Sequence, residues 1–284
     1  MKDRALSTIG LWVIVGLVIY GFGRYNIAQL GGFLVIMALG LAAQYELYRI
    51  LEKTGATPRI GIGMVMGAII LVITFLSETG IPPLLNYIAL AWVVALLTLL
   101  SRPHENQKWV LRFSTLFGVL YVPCLLAFFV DFARWKSQDS NHGLWIALWI
   151  VAVTKFTDVG GLVFGVPFGK HKIAPNISPA KSVEGCIGGV ICSVGVGVGL
   201  AAIYQQAGLL EIPLAKAALY ALPLAILSVP SDLVESYLKR RADVKDSGAT
   251  IPGIGGALDL VDSLLLVAPV GFLIFKKLTH TIVS

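Results

Sequence analysis

Six ionisable side chains interrupt otherwise apolar stretches in the second half of the chain. They are Lys155, Asp158, Asp232, Glu235, Asp259 and Asp262. From position 232 onward the acidic residues form two pairs with a spacing of three, which places both members of a pair on one face of a helix. Charges inside apolar segments cost free energy and mark candidate functional sites. These residues are therefore the first candidates for chemistry.

Glycine and basic residues flank the acidic pairs in the sequence. A turn-forming stretch with Gly255 and Gly256 precedes Asp259, and glycines allow a backbone to approach a ligand closely. Two basic groups accompany them: Lys239, Arg240, Arg241 and Lys245, and Lys170, His171, Lys172 and Lys181. A helix N-terminus attracts phosphate, but nearby carboxylates repel it unless a cation intervenes. The pattern therefore predicts a magnesium-dependent enzyme that handles phosphates at a membrane surface.

Two of these features also have a simpler interpretation, which stays open. Lys155 and Asp158 are three residues apart and could neutralise each other inside a buried helix. A basic loop beside a spanning helix also serves as a topology signal, and this interpretation suits residues 170–172 equally well.

The elements that must position these residues are membrane-spanning helices. Of the 284 residues, 57% are hydrophobic and 13% are charged, and the mean hydropathy is +0.83, which excludes an ordinary soluble domain. Because lipid offers backbone groups no partner, we predict an all-α, polytopic transmembrane helical bundle. About nine spanning helices are expected, at 6–22, 30–48, 61–77, 84–100, 113–130, 143–166, 185–204, 214–235 and 257–275.

Lysine and arginine residues lie mostly in the loops on one side of this bundle. With the N-terminus inside, the loops on its side carry 15 of these residues and the opposite loops carry five. This asymmetry predicts a cytoplasmic N-terminus and, with nine helices, a C-terminus on the other side. The net charge of +6 suits contact with anionic membrane lipids. A nucleic-acid partner is not expected, since the sequence has no long basic soluble segment with interleaved aromatic residues.

The two halves of the chain differ in their charged residues. The helices predicted in residues 1–142 carry few charges and suit a lipid-facing scaffold, whereas residues 143–284 contain the acidic pairs and form the predicted catalytic region. The seventh predicted helix has a small residue at every fourth position, which predicts close packing against another helix. This small-residue stripe consists of Gly185, Gly189, Ser193, Gly197 and Ala201.

Two blocks of the sequence combine many polar residues and glycines in a fixed order. The first block, at 236–262, reads SYLKRRADVKDSGATIPGIGGALDLVD. It resembles the signature of the phosphatidate cytidylyltransferases, also called CDP-diacylglycerol synthases, which consists of Ser-x-x-Lys-Arg, Lys-Asp, a Pro-Gly-His-Gly-Gly loop and Asp-Arg-x-Asp. The second block, at 157–185, reads TDVGGLVFGVPFGKHKIAPNISPAKSVEG and contains the family's Phe-Gly-Lys-His-Lys and Ser-Pro-x-Lys-x-x-Glu-Gly. The resemblance covers about residues 150–275.

The resemblance implies a nucleotidyltransferase that converts CTP and phosphatidic acid to CDP-diacylglycerol and pyrophosphate in phospholipid biosynthesis. With the residue pattern it implies Mg²⁺ held by Asp232 and Asp259, and a second cation stays open. The catalytic residues expected at the signature are Lys239, Arg240, Lys245, Asp246 and Asp262. The expected substrate-binding residues are Asp158, Lys170, Lys172, Ser178, Lys181, Ser236, Gly255 and Gly256.

Two signature positions differ from the family pattern. Ile254 stands where the family has histidine, and Leu260 stands where it has arginine. Both changes leave the predicted metal carboxylates in place, so an active, divergent enzyme is expected.

Two functions of other kinds stay open. A CTP-dependent kinase of a long-chain prenol would share the membrane, the metal and the nucleotide, but would transfer the γ-phosphoryl group without releasing pyrophosphate. A membrane transporter would also use carboxylates within spanning helices, near the midplane and between repeats. The expected location is the bacterial cytoplasmic (inner) membrane, and a homodimer is left open.

Overall fold

The computed structural model describes residues 28–77, 113–135, 142–248 and 255–282, with side chains as far as 276. This part of the chain is mostly helical. Its helices are α1 (Ala28–Lys53), α2 (Ile60–Leu76), α3 (Ser114–Tyr121), α4 (Pro123–Arg134), α5 (His142–Phe168), α6 (Val183–Gln206), α7 (Leu214–Arg241), α8 (Ala257–Leu265) and α9 (Val267–Ile282). Between α5 and α6 lie two short strands, β1 (Lys172–Ala174) and β2 (Ser178–Ser182).

Several of these helices are long and apolar enough to cross a membrane. Within the described ranges they number five: α1, the consecutive α3 and α4, α5, α6 and α7. A sixth results if α8 and the first part of α9, which are bent by 45°, form one span, whereas α2 has only 17 residues. The predicted all-α polytopic fold is confirmed. The predicted spans 6–22 and 84–100 lie outside the described residues, so the expected number of nine stays a prediction.

The internal contacts of the chain define two units. The first comprises Met1–Arg134 and Leu238–Val261, and the second comprises Trp135–Tyr237 and Asp262–Ser284. The predicted division into a scaffold (1–142) and a catalytic region (143–284) concerns activity and stays a prediction.

In the first unit, a polar network ties α1 to α2 and α3. The Gln44 side chain donates a hydrogen bond to the carbonyl of Gly63 (2.8 Å), and the Tyr48 hydroxyl donates to the carbonyl of Thr115 (2.8 Å). Gly63 and Gly118 leave room for the Tyr48 ring, since a Cβ at either position would overlap it. Apolar helices gain little from contact with one another in lipid, so hydrogen bonds and close approach hold this group together.

In the second unit, the small-residue stripe of α6 packs directly against α5, as predicted. A Cβ at Gly189 would lie 2.5 Å from the carbonyl oxygen of Thr157 and 3.0 Å from the amide nitrogen of Gly161. The Ser193 hydroxyl donates to the carbonyl of Val153 (2.6 Å). The two backbones are therefore close enough that only small residues fit between them.

The segment that joins α5 to α6 is an antiparallel β-hairpin, which the sequence analysis did not predict. Lys172 pairs with Ser182, and Ala174 pairs with Ser178. Strands of three and five residues carry too little side-chain alternation to be recognised from the sequence.

The base of the hairpin is fastened to the first turn of α6. Ser182 caps this helix, because its hydroxyl accepts from the amide of Gly185 (3.2 Å). The carboxylate of Glu184 accepts from the amide of Lys170 (3.1 Å), and the His171 Nδ1 atom lies 2.6 Å from its Oε1. These bonds hold the residues that follow α5 against the first turn of α6.

Candidate active site

Three carboxylates converge in the second unit. Asp232 and Glu235 extend from one face of α7, and Asp262 extends from α8. One carboxylate oxygen from each lies within 4.8 Å of the others. Glu235 is fully buried, and Asp262 is only 7% exposed. Carboxylates at such separations repel one another, so this arrangement requires compensating positive charge.

A serine hydroxyl attaches α8 to the face of α7 that carries the acidic residues. Ser231 donates from its hydroxyl to the carbonyl oxygen of Asp262. The same hydroxyl accepts from the amide of Leu266 (3.2 Å), at the bend between α8 and α9. These two bonds hold the backbone of Asp262 next to Ser231, the residue that precedes Asp232 on α7.

Two lysines supply part of the compensating charge. Lys181, on β2 of the hairpin, forms an ion pair with Asp232. Lys155, on α5, places its Nζ atom 3.6 Å from Asp262 Oδ1 and donates to the hydroxyl of Ser263 (2.8 Å). The hairpin and α5 thus each contribute a cation to the carboxylates of α7 and α8.

A fourth carboxylate, that of Asp158, lies in the same environment. Its side chain is hydrogen-bonded to Ser263 and interacts electrostatically with Lys155, Lys181 and Asp232. We call the set Lys155, Asp158, Lys181, Asp232, Glu235 and Asp262 the acidic cluster. Four carboxylates and two ammonium groups carry a formal charge of −2, which one divalent cation would balance.

In the first unit, Asp259 is held by a separate set of donors. Its Oδ1 accepts from Lys239 Nζ at 2.7 Å. Its Oδ2 accepts from the Ser247 hydroxyl (2.8 Å) and from the amide of Gly256 (2.8 Å). Gly255 has a φ of +123°, and a Cβ there would lie 2.9 Å from Oδ2, so the turn requires glycine. We call Lys239, Ser247, Gly255, Gly256 and Asp259 the Asp259 group.

The Asp259 group contacts a residue that was not predicted from the sequence. Glu46 of α1 is 4% exposed, and its Oε2 atom accepts from the Ser247 hydroxyl (3.0 Å) and from the amide of Leu258 (2.8 Å). The signal was present, because Glu46 is an acidic residue within the predicted span 30–48. It is one of the few charged residues in the helices predicted for residues 1–142.

Comparison with known proteins places these residues in a family context. The family model described as "Cytidylyltransferase family" matches residues 2–278. The phosphatidate cytidylyltransferase of Bacillus subtilis (strain 168) is 34% identical over 275 residues, which are 95% of each chain. That of Staphylococcus aureus (strain COL) is 31% identical over 274 residues, which are 95% of this chain and 96% of the relative. The chain belongs to the cytidylyltransferase family.

The match to the cytidylyltransferase family confirms the resemblance found in the two motif blocks. It also extends beyond them, because it begins at residue 2 whereas the motifs begin near residue 150. A third relative, the phosphatidate cytidylyltransferase of Haemophilus influenzae, is 32% identical over 183 residues, or 63% of each chain. The α1 helix with Glu46 therefore belongs to the region shared with the family and not to an added segment.

The remaining predicted site residues of this cytidylyltransferase-family chain are not members of these two groups. Ser236 places its hydroxyl 3.5 Å from Asp232 Oδ1. Of the hairpin residues, Lys181 reaches the acidic cluster, whereas Lys170 and Lys172 are exposed. Ser178 is half-buried on β2; Arg240, Lys245 and Asp246 are exposed at the end of α7 and in the following turn. Ile254 lies outside the described residues.

Proposed function

We propose that this cytidylyltransferase-family membrane protein converts CTP and phosphatidate to CDP-diacylglycerol and pyrophosphate. An oxygen of the lipid phosphate attacks the α-phosphorus of CTP, and the bond from that phosphorus to the oxygen bridging to the β-phosphate breaks. Pyrophosphate leaves with the electron pair. The observation that carries the proposal is the acidic cluster of formal charge −2. It lies in a chain whose relatives, aligned over 95% of its length, are named phosphatidate cytidylyltransferase.

The donor set of the acidic cluster suits the divalent cation that the family implies. Asp232, Glu235 and Asp262 offer hard oxygen ligands within 4.8 Å of one another, which is the chemistry that Mg²⁺ prefers. When bound, Mg²⁺ would neutralise negative charge on the triphosphate. Asp259 stays a predicted ligand; in the structure its oxygens accept from Lys239, Ser247 and Gly256. A second cation remains part of the proposal.

The basic side chains have two kinds of role in this proposal. Lys155 and Lys181 hold the carboxylates of Asp262 and Asp232 in place, and Lys239 does the same for Asp259. The phosphate oxygens of CTP and phosphatidate are bound by exposed cations, and Ser178 and Ser236 add hydrogen bonds. These cations are Lys170, Lys172, Arg240 and Lys245. The lipid phosphate is already ionised at neutral pH, so the attack needs no general base.

The proposal is tested with purified protein in vesicles that contain phosphatidate. CTP labelled at the α-phosphate should transfer its label to the lipid fraction, with one pyrophosphate released for each labelled lipid. Vesicles without phosphatidate are the control. Release of CDP with a phosphorylated lipid, or labelling that does not depend on phosphatidate, would contradict the proposal and favour a CTP-dependent kinase.

The proposed location is the bacterial cytoplasmic membrane, with the N-terminus and the site on the cytoplasmic side, where CTP is present. The asymmetry of 15 to five basic residues supports this orientation. Single cysteines introduced into a cysteine-free protein should resist a membrane-impermeant reagent added to intact cells. The positions to test are in 49–59, 101–112, 167–184 and 236–256. Efficient labelling in two of these loops would contradict the orientation.

A further inference from the structure

Glu46 connects the N-terminal half of the chain to the signature near the C-terminus. It lies 201 residues before Ser247 and 212 residues before Leu258, and it contacts both. Both hydrogen bonds end on one atom, Oε2, which is buried within the first unit. A buried carboxylate that accepts a side-chain hydroxyl and a backbone amide restrains both groups strongly.

The contacts of Glu46 continue directly to Asp259. The Ser247 hydroxyl lies 3.0 Å from Glu46 Oε2 and 2.8 Å from Asp259 Oδ2. It therefore sits between the two carboxylates and can donate its single proton to only one of them at a time. The Leu258 amide, which also donates to Glu46, belongs to the first turn of α8, next to Asp259.

Two glycines provide the space that Glu46 occupies. A Cβ at Gly248 would overlap Glu46 Oε1, and a Cβ at Gly256 would overlap both Glu46 Oε2 and the Ser247 hydroxyl. Gly256 also donates its amide to Asp259 at 2.8 Å. The described residues 247–248 and 256–258 of the signature therefore lie closely against the tip of this one side chain from α1.

We propose that Glu46 is a positioning residue for the Asp259 group. Its carboxylate fixes the Ser247 hydroxyl and the start of α8, these fix Asp259, and Asp259 orients the ammonium of Lys239. The assignment rests on the proposed function, in which Asp259 is a predicted ligand of the cation that neutralises the triphosphate, and it gives α1 a part in CTP recognition. Glu46 itself acts through these residues.

The test compares Glu46→Ala and Glu46→Gln with the control Glu52→Gln. Glu52 lies on the same helix, is half-buried and forms an ion pair with the exposed Arg49 (2.7 Å). For each protein, KM values for CTP and for phosphatidate, the Kd for CTP from thermal shifts, and the melting temperature are measured in the same detergent or vesicles.

The Glu46→Ala variant should raise the KM and Kd for CTP about 20-fold. The buried Leu258 amide loses its acceptor and the Ser247 hydroxyl loses one of its two, which releases Asp259 and Lys239. The KM for phosphatidate should stay within about twofold. Glu46→Gln should recover most of the loss, to within about threefold, since one amide oxygen can accept both bonds. Glu52→Gln should behave as the parent.

The pair Glu46→Ala and Ser247→Ala should be non-additive in the Kd for CTP, because both variants break the same chain of contacts. Equal CTP affinity in Glu46→Ala, with only a lower folded fraction or melting temperature, would overturn the proposal. A parent that binds CTP without turning it over would contradict the proposed function while leaving the affinity comparison valid. A parent that does not bind CTP would overturn both.

Discussion

Replacing Asp232 by asparagine separates a metal-binding role from a purely structural one. The substitution keeps the volume and one oxygen, and changes the formal charge of the acidic cluster from −2 to −1. Carboxylate oxygens within 4.8 Å repel each other by about 3.5 kcal/mol or more at an effective dielectric constant of 20. Without a divalent cation, Asp232→Asn removes two such repulsions and one attraction to Lys181, so stability should change little or rise.

With a divalent cation present, the same substitution should be costly. At a Mg²⁺ concentration about 100 times Kd, binding adds about 2.7 kcal/mol to the folded state. This corresponds to an increase of roughly 5 to 11 °C in melting temperature for a chain of this size. If the loss of one charged ligand weakens Mg²⁺ binding about 100-fold, the stabilisation of the folded state by Mg²⁺ falls to about 0.4 kcal/mol. Turnover should fall on the order of a thousandfold.

The assay measures two quantities for each variant: the melting temperature in chelator and in saturating Mg²⁺, and the rate of CDP-diacylglycerol formation. The matched control is Asp243→Asn, at an exposed position with a φ of +52°, which asparagine readily adopts. The metal assignment would be refuted if Mg²⁺ raised the melting temperature of Asp232→Asn as much as that of the parent and turnover stayed near the parental rate. A large loss of melting temperature already in chelator would show that Asp232 serves mainly to pair with Lys181.

Two further substitutions test the packing and the departures from the family signature. Gly189→Ala should lower the free energy of unfolding by about 1–3 kcal/mol, because its Cβ would lie 2.5 Å from the Thr157 carbonyl oxygen. Gly195→Ala, with nothing within 4 Å of the added Cβ, should be neutral or stabilising in the same thermal melt. Ile254→His should keep turnover within about tenfold of the parent, since glycines flank it in sequence. An inactive parent that gains turnover from Ile254→His with Leu260→Arg would show that the departures had abolished activity.

The parts of the fold that the sequence predicted are those set by local periodicity. Apolar length located the helices, and a spacing of three and four placed Asp232, Glu235 and Ser236 on one face of α7. That helix continues to Arg241 despite Pro223 and Pro230, beyond its predicted end at residue 235. Its polar last turns are helical although they fall below any hydropathy threshold for a span, so hydropathy alone ended the prediction too early.

The parts that the sequence did not predict depend on contacts between distant segments. Spacing put Asp259 and Asp262 on one helix but gave no information about which neighbours each would meet. The structure brings Asp262 to Asp232 and Glu235, and it surrounds Asp259 with Lys239 and Ser247. The position of Lys181 depends on the hairpin, which carries it back toward the end of α5 and was itself too short to predict.

Glu46 lies outside the signature in the sequence but contacts its residues in the structure. From the signature alone, the requirement for Gly248 and Gly256 would be explained by a turn in the loop. The structure gives them a second reason, because a Cβ at either position would occupy the space of the Glu46 carboxylate. A site formed by the C-terminal signature alone would not need that space. The two glycines therefore indicate that this part of the signature is packed against a side chain from α1. If the Asp259 group takes part in CTP binding as proposed, the N-terminal half supplies one of the residues that position it.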